Sequence, residues 1–184
     1  MVSILIDDDM LLRTYELEDA QELFSAIDSS RPHLRKWFSW VDPTTRQEHS
    51  LQFIQQSLQQ QQQQEGLALG IFYNRHIIGS IGMHNWDHHI KKAQIGYWIS
   101  KEYEGRGIIH KCLIRFIDFL FQKTGLNKVE IHFMTLNTKS AKVAERLGFK
   151  VEGVIRQSHM HNSKIEDIVI SGLLKSEWNP SLIA

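Results

Sequence analysis

Hydrophobic positions along this chain change period several times, and each change marks an element. Residues Met10 to Arg13 read as a short first strand, and LEDAQELFSAI then sets Leu17, Ala20, Leu23, Phe24 and Ile27 at the spacing of one helix face. Pro32 suits the first position of a second, short helix over HLRKWFSW. Asp42-Pro43-Thr44-Thr45 interrupts the chain. A third helix is expected from Thr45 into QQSLQQQQQQEG, whose glutamines continue it as a polar stretch ended by Gly66. The pattern then turns strand-like: LALGIFY, a turn at Arg75-His76, IIGSIGMHNW, a charged link DHHIKK, and AQIGYWIS.

Helical spacing returns in GIIHKCLIRFIDFLFQKTG, with Ile109, Leu113, Phe116, Leu120 and Phe121 on one face and a stop at Gly125. KVEIHFMTL is a strand, and TKSAKVAERLG is a short helix closed by Gly148. FKVEGVIRQSHM and KIEDIVISGLL are two strands joined at Asn162-Ser163. The order β-α-α-α-β-β-β-α-β-α-β-β, without internal repeat, predicts a mixed α/β sheet in one domain over residues 1–184.

Composition narrows the function classes. Lys+Arg of 21 balances Asp+Glu of 21, so net charge offers no warrant for a nucleic-acid or membrane partner. The start, MVSILIDDDM, has no basic segment before its apolar run, and no stretch reaches the length of a membrane span. Cys112 is the single cysteine, which excludes an internal disulfide and suits a reducing compartment. A soluble, cytoplasmic protein is expected. His84, His88 and His89 have no second cluster to complete a ligand set, so they are read as loop residues and no metal is expected.

The candidate chemistry lies in KEYEGRGIIHKC. Gly105 and Gly107 sit where a strand gives way to a helix, and glycine there is costly in backbone entropy. A bare loop entering a helix offers unpaired N–H groups and a partial positive charge to a phosphate, although such glycines also make plain turns. The loop lacks the Gly-Lys-Ser/Thr of a Walker sequence and the third glycine of a dinucleotide fingerprint.

Taken with LNTKSAKVAERLGF after the next strand and the early LRKWFSWV, the chain resembles the GNAT acetyltransferases. Within them it is most similar to the branch acting on ribosomal-protein N-termini. The resemblance implies a mostly antiparallel sheet with a central splayed parallel pair, AQIGYWIS and KVEIHFMTL, and acetyl-CoA held between them. It assigns main-chain contacts with the pantetheine arm to Tyr97, Trp98 and Ile99. It assigns the pyrophosphate to the loop from Glu104 through Gly105, Arg106, Gly107 and Ile108 to Ile109. Asn137 would bond the pantetheine arm and Lys142 would meet a phosphate.

This loop departs from the family pattern at Glu104, whose side chain is expected to turn away from phosphate, and at Ile109, expected to point into the core. The tyrosine acid of many relatives is replaced by Ala144. Ser140 is then the candidate for protonating the coenzyme sulfur, against an ordinary first-turn serine. His159 stands where the branch can carry a glutamate base, against a structural strand histidine. Cys112 is read as a packing residue. Trp37, Phe38 and Trp40 are read as core, with the wall of an acceptor groove as the alternative.

The acceptor sets the demand on a base. An α-amine of pKa about 7.7–8.0 is roughly 10–15% neutral at pH 7, whereas about one lysine in 2,500 is. The implied reaction is acetyl transfer to a protein N-terminus. A small amine such as a polyamine, or a non-catalytic acyl-CoA sensor, are the alternatives, and the resemblance allows a homodimer.

Overall fold

The structure, a computed structural model, describes residues Met1–Leu182. Its strands are β1 (Ser3–Asp7), β2 (Met10–Thr14), β3 (Leu67–Tyr73), β4 (His76–Asp87), β5 (Lys92–Ile99), β6 (Lys128–Met134), β7 (Lys150–His161) and β8 (Lys164–Leu174). They form one sheet in the order β1-β2-β3-β4-β5-β6-β8-β7. Among the described residues only β5 and β6 run parallel; the other neighbours are antiparallel. The expected mixed, mostly antiparallel α/β sheet with a central parallel pair is therefore present.

Two apolar clusters sandwich this sheet because strand side chains alternate between its faces. Helices α4 (Ile108–Lys123) and α5 (Thr138–Arg146) lie on one face. There Cys112, Leu113, Phe116, Leu120 and Ala144 pack with Leu12, Leu69, Ile71, Ile95 and Val129. Helices α1 (Ala20–Ser29), α2 (Arg31–Leu34) and α3 (Gln47–Gln62) gather at the other face, where Leu23, Ile27, Leu34 and Ile54 pack with Phe72, Ile77 and Trp98. Adjacent residues Ile71 and Phe72 thus serve opposite clusters. No helix among the described residues is long and apolar enough to cross a membrane.

Four sequence expectations change. Strand β1 precedes the expected first strand; it is a short edge strand whose Leu5 is 63% exposed, so its apolar run carries no clean alternation. The second helix is one turn, with Pro32 at its second position, and Trp37, Phe38 and Trp40 follow in turns. The hairpin between β3 and β4 turns at Asn74-Arg75, both at positive φ, rather than at Arg75-His76. Helix α3 ends at Gln62, and Gln64 at φ 57° makes the left-handed turn that Gly66 was expected to supply. The hairpin at Asn162-Ser163 and the stops at Gly125 and Gly148 stand as read, all at positive φ.

The parallel pair positions everything that follows. Its register runs Lys92↔Lys128 through Ile95↔Ile131 and stops. Beyond that point β5 stays bonded to β4 through Ile99, and β6 stays bonded to β8 through Met134. Each strand keeps its outer partner while losing the inner one, so the sheet forks. Gly79 of β4 fits this arm tightly: a Cβ there would collide with Trp98 O and lie 3.1 Å from Ile99 Cα. Because both obstacles are backbone, Gly79→Ala is expected to cost about 1–3 kcal/mol by overpacking. Urea unfolding should show a lower midpoint at unchanged slope.

Candidate active site

The bare loop owes its glycines to backbone conformation. Gly105 and Gly107 take φ of 80° and 75°, a region where a side chain is strained, yet a Cβ at either would meet nothing within 4 Å. Close packing is therefore not the reason for glycine; the fold of the loop is. Gly107 sits at the N-cap of α4, and the helix begins with Lys111 N–H donating to Gly107 O at 3.1 Å. The N–H groups of the first turn are left pointing out of the helix end. An open cradle at a helix N-terminus fits a pyrophosphate. Ile108 is buried in the core and Ile109 is half-buried against it, and both line the cavity beside the loop.

Glu104 binds this loop to its surroundings. Its carboxylate accepts from Lys101 Nζ and, at 2.6 Å, from Lys139 Nζ of α5, with His33 Nε2 of α2 at 3.7 Å. Burial pushes the Glu104 carboxyl up, but hydrogen bonds from Lys101 and Lys139 and the charge of His33 carry it down to about 2. Burial in turn pushes His33 down, and Glu104 partly opposes that. The cavity beside the loop, about 400 Å³, is lined by His33, Glu104, Gly105, Gly107, Lys139, Lys142 and Arg146 among others. Lys142 lies at its exposed rim. Arg106 turns elsewhere, its guanidinium 5.2 Å from the Tyr103 ring, and Lys111 pairs with Asp7 at 3.7 Å.

A second cavity of about 910 Å³ opens on the α1–α3 side of the fork. Trp37, Phe38, Tyr97, Trp98, Asn137 and Ser140 line both cavities and mark where they join. Ser100 N–H donates to Ile78 O at 2.7 Å, and alternation therefore turns the main-chain groups of Trp98 toward β4 as well. Those of Tyr97 and Ile99 face the fork. Trp98 contributes its side chain instead, 6.2 Å from the Trp40 ring. Trp40 is 37% exposed and Trp37 and Phe38 half-buried; all three wall the cavity, and Phe38 also packs against the core on that face.

Ser140 stands in the first turn of α5, half-buried at the junction. Asn137 caps the helix, its Oδ1 accepting from Ser140 N–H at 3.1 Å, which leaves its amide nitrogen free to donate to a ligand. The Tyr97 hydroxyl is buried without a well-formed hydrogen bond. Burial raises its pKa to about 12, with the neighbouring Ser140 hydroxyl partly opposing the rise. A protonated phenol and a serine hydroxyl thus meet where the cavities join. Ala144, by contrast, is buried in the core.

Histidines line the larger cavity. His159 reaches it from β7 and stacks on His161 with ring centroids 6.1 Å apart. His84 is a strand residue of β4 rather than a loop residue, and it lines the cavity with His132 of β6. Neither was expected there, although a period-two reading of IIGSIGMHNW and KVEIHFMTL puts His84 and His132 on polar positions. His88 stacks on Trp86 at 4.5 Å. Among the described residues no group of three His, Cys, Asp or Glu is placed to hold a metal. Cys112 is fully buried, burial pushes its thiol up to about 12, and it is a packing residue.

The sequence pattern of the acetyltransferase (GNAT) domain family matches residues 9–150. A Bacillus subtilis (strain 168) protein provisionally named a ribosomal N-acetyltransferase, YdaF, is 34% identical over 97% of this chain and 98% of its own. The ribosomal-protein-serine acetyltransferase of Escherichia coli (strain K12) is 25% identical over 90% of this chain and 93% of its own. Among solved structures, the microcin C7 self-immunity acetyltransferase MccE, crystallised with acetyl-CoA and AMP, superposes with a TM-score of 0.87. It is 28% identical, over 92% of this chain and 94% of that one.

The Glu104 cluster makes a pH prediction. Its folded pKa is depressed, so its contribution to stability is present above the ordinary value of 4.5 and is lost as pH falls from there through about 2. Thermal melts should show wild type above Glu104→Gln near neutral pH, with the gap closing across that acid interval. A gap independent of pH would contradict the charge assignment.

Proposed function

The chain belongs to the GNAT acetyltransferase family, and on that premise we propose that it moves acetyl from acetyl-CoA to the α-amine of a protein N-terminus, of the ribosomal-protein kind, in the cytoplasm. Residues 1–184 act as one domain in this reading. The observation that carries the choice of acceptor is the lining of the larger cavity. Among the described residues that line it, none is Asp, Glu, Lys or Arg; it is aromatic, aliphatic, hydroxyl, amide and imidazole. A polyamine would bring several cationic groups into a wall without a carboxylate, and unpaired charge in such a setting is strongly penalised. A chain end brings one amine, followed by backbone and side chains that aromatic walls can hold.

In this reading acetyl-CoA lies across the fork. The N–H groups of the loop from Gly105 to Ile109 hold the pyrophosphate, with Lys142 near a phosphate. Main-chain groups of Tyr97 and Ile99, left without a strand partner, pair with the pantetheine arm, and Asn137 reaches it through its amide nitrogen. The thioester then falls at the junction of the cavities, open to the acceptor on the α1–α3 side. An N–H of the β5 arm polarises the carbonyl, so charge developing on oxygen is met by a donor already in place. Ser140 supplies the proton that the departing thiolate needs, and the Tyr97 hydroxyl beside it stays protonated throughout the working range.

Two expectations follow. Peptides beginning with Ser or Ala and a free α-amine should be acetylated with kcat/KM at least about tenfold above spermidine, as measured by thiol release from acetyl-CoA; equal or faster turnover of spermidine would reverse the choice of acceptor. Ser140→Ala should lower kcat by at least about tenfold, while calorimetric titration with acetyl-CoA shows little change in affinity. Unchanged turnover would remove Ser140 from the chemistry.

A further inference from the structure

His132 is the first residue of β6 past Ile131, the last paired position of the parallel strands, and so stands where the fork opens. Its ring is 24% exposed and lines the acceptor cavity. Two residues earlier, and so on the same strand face, Glu130 is buried at 5% exposure. Glu130 Oε2 lies 3.0 Å from His132 Nε2, while Oε1 lies 2.9 Å from Lys128 Nζ and 3.3 Å from Lys92 Nζ of β5. Burial pushes the Glu130 carboxyl up, but hydrogen bonds from Lys128, His132 and Lys92 outweigh it and hold it below the ordinary value.

Those contacts fix a tautomer. An ionised carboxylate can only accept, so the ring nitrogen facing Glu130 must carry the proton. Nδ1 then keeps its lone pair, and it is the nitrogen left for the cavity. His84 approaches from β4: a Cβ on Gly96 would stand 3.5 Å from its Cε1. Burial lowers the His84 pKa, and the nearby His132 lowers it further. From β8 the residue in register with His132 is Ile170, which is uncharged. His159 lines the same cavity, yet among the described residues no carboxylate hydrogen-bonds to it.

We propose that His132 is the base that takes a proton from the acceptor ammonium, and that Glu130 is the positioning residue that fixes its tautomer. This rests on the acetyl-transfer reading above and adds the group that makes the amine nucleophilic. Nδ1 of His132 takes the first proton from the ammonium nitrogen. The freed lone pair attacks the thioester carbonyl and the carbon–nitrogen bond forms. On collapse the carbon–sulfur bond breaks, its electron pair leaving on sulfur. The thiolate takes the Ser140 hydroxyl proton, and the second proton shed by nitrogen restores that hydroxyl. His132 returns its proton to solvent through the open cavity. The products are the amide, free coenzyme A and one proton per ammonium consumed.

The test compares full-length wild type, His132→Gln and Glu130→Gln with acetyl-CoA and a Ser-initiated hexapeptide. Calorimetry supplies the acetyl-CoA affinity, and ring-nitrogen NMR of the unliganded chain supplies the tautomer. His132→Gln should lower kcat/KM about 100-fold near neutral pH, with unchanged acetyl-CoA affinity. The deficit should shrink at alkaline pH, where the α-amine is already neutral. Glu130→Gln should lose less activity than His132→Gln and shift the His132 ring signals away from the Nε2–H tautomer. An active wild type with an equally active His132→Gln, or a ring found protonated at Nδ1 in its neutral form, overturns this proposal alone. A wild type that binds acetyl-CoA but acetylates no α-amine overturns the acceptor reading and this proposal together.

Discussion

The fork between β5 and β6 is the constraint on which the rest depends. Two parallel strands pair for four positions, from Lys92↔Lys128 to Ile95↔Ile131, and then part. An unpaired main-chain group in a dry setting costs about 1–3 kcal/mol, so a splayed pair would normally close or fill. Here each arm is held from outside by an antiparallel neighbour, β4 on one side and β8 on the other. The inner edges are thereby kept free for a ligand that can bond like a strand. Gly79 tightens the hold, since its bare Cα lets β4 lie against the β5 arm at Trp98 and Ile99.

Both working cavities take their positions from that opening. The loop cavity sits where β5 hands over to α4, with positive-φ glycines shaping the turn and the helix end facing inward. Glu104 ties loop, α5 and α2 together through Lys139 and His33. A carboxylate beside a phosphate site is unfavourable in isolation, but this one is already neutralised by two lysines. Its cost to anion binding is offset before any ligand arrives. The larger cavity, walled by Trp37, Phe38, Trp40 and Trp98, joins the first at Ser140 and Tyr97. In the proposed reaction, donor and acceptor enter by different cavities and meet at that junction.

The polar groups of this centre are divided by environment. Tyr97 is held protonated by burial, and Glu104 and Glu130 are held ionised by lysines. The imidazoles of His84 and His132 line the larger cavity where the fork opens, His84 beside Gly96 and His132 one residue past the last paired position. Buried carboxylate, histidine and open cavity follow in line from Glu130, an order that suits the proposed proton path.

Hydrophobic periodicity by itself determined most of the elements, because a period of two or of 3.6 residues is a local property that any contiguous segment displays. It identified seven of the strands and the long helices. The cofactor-like loop was equally legible in Gly105 and Gly107, since positive φ selects glycine wherever the chain runs. Strand β1 escaped because a short edge strand shows one exposed leucine in a five-residue run. What only the tertiary structure decided are matters of pairing between distant segments. These include which main-chain groups of β5 face the fork, that Ile108 is buried more deeply than Ile109, and that Trp37, Phe38 and Trp40 wall a cavity. The apposition of His132 with Glu130, Lys92 and His84 belongs with them. Glu104 meets His33, far earlier in the chain, only because α2 folds over the loop. Sequence periodicity says which face a residue occupies; sheet order and register say what it meets there.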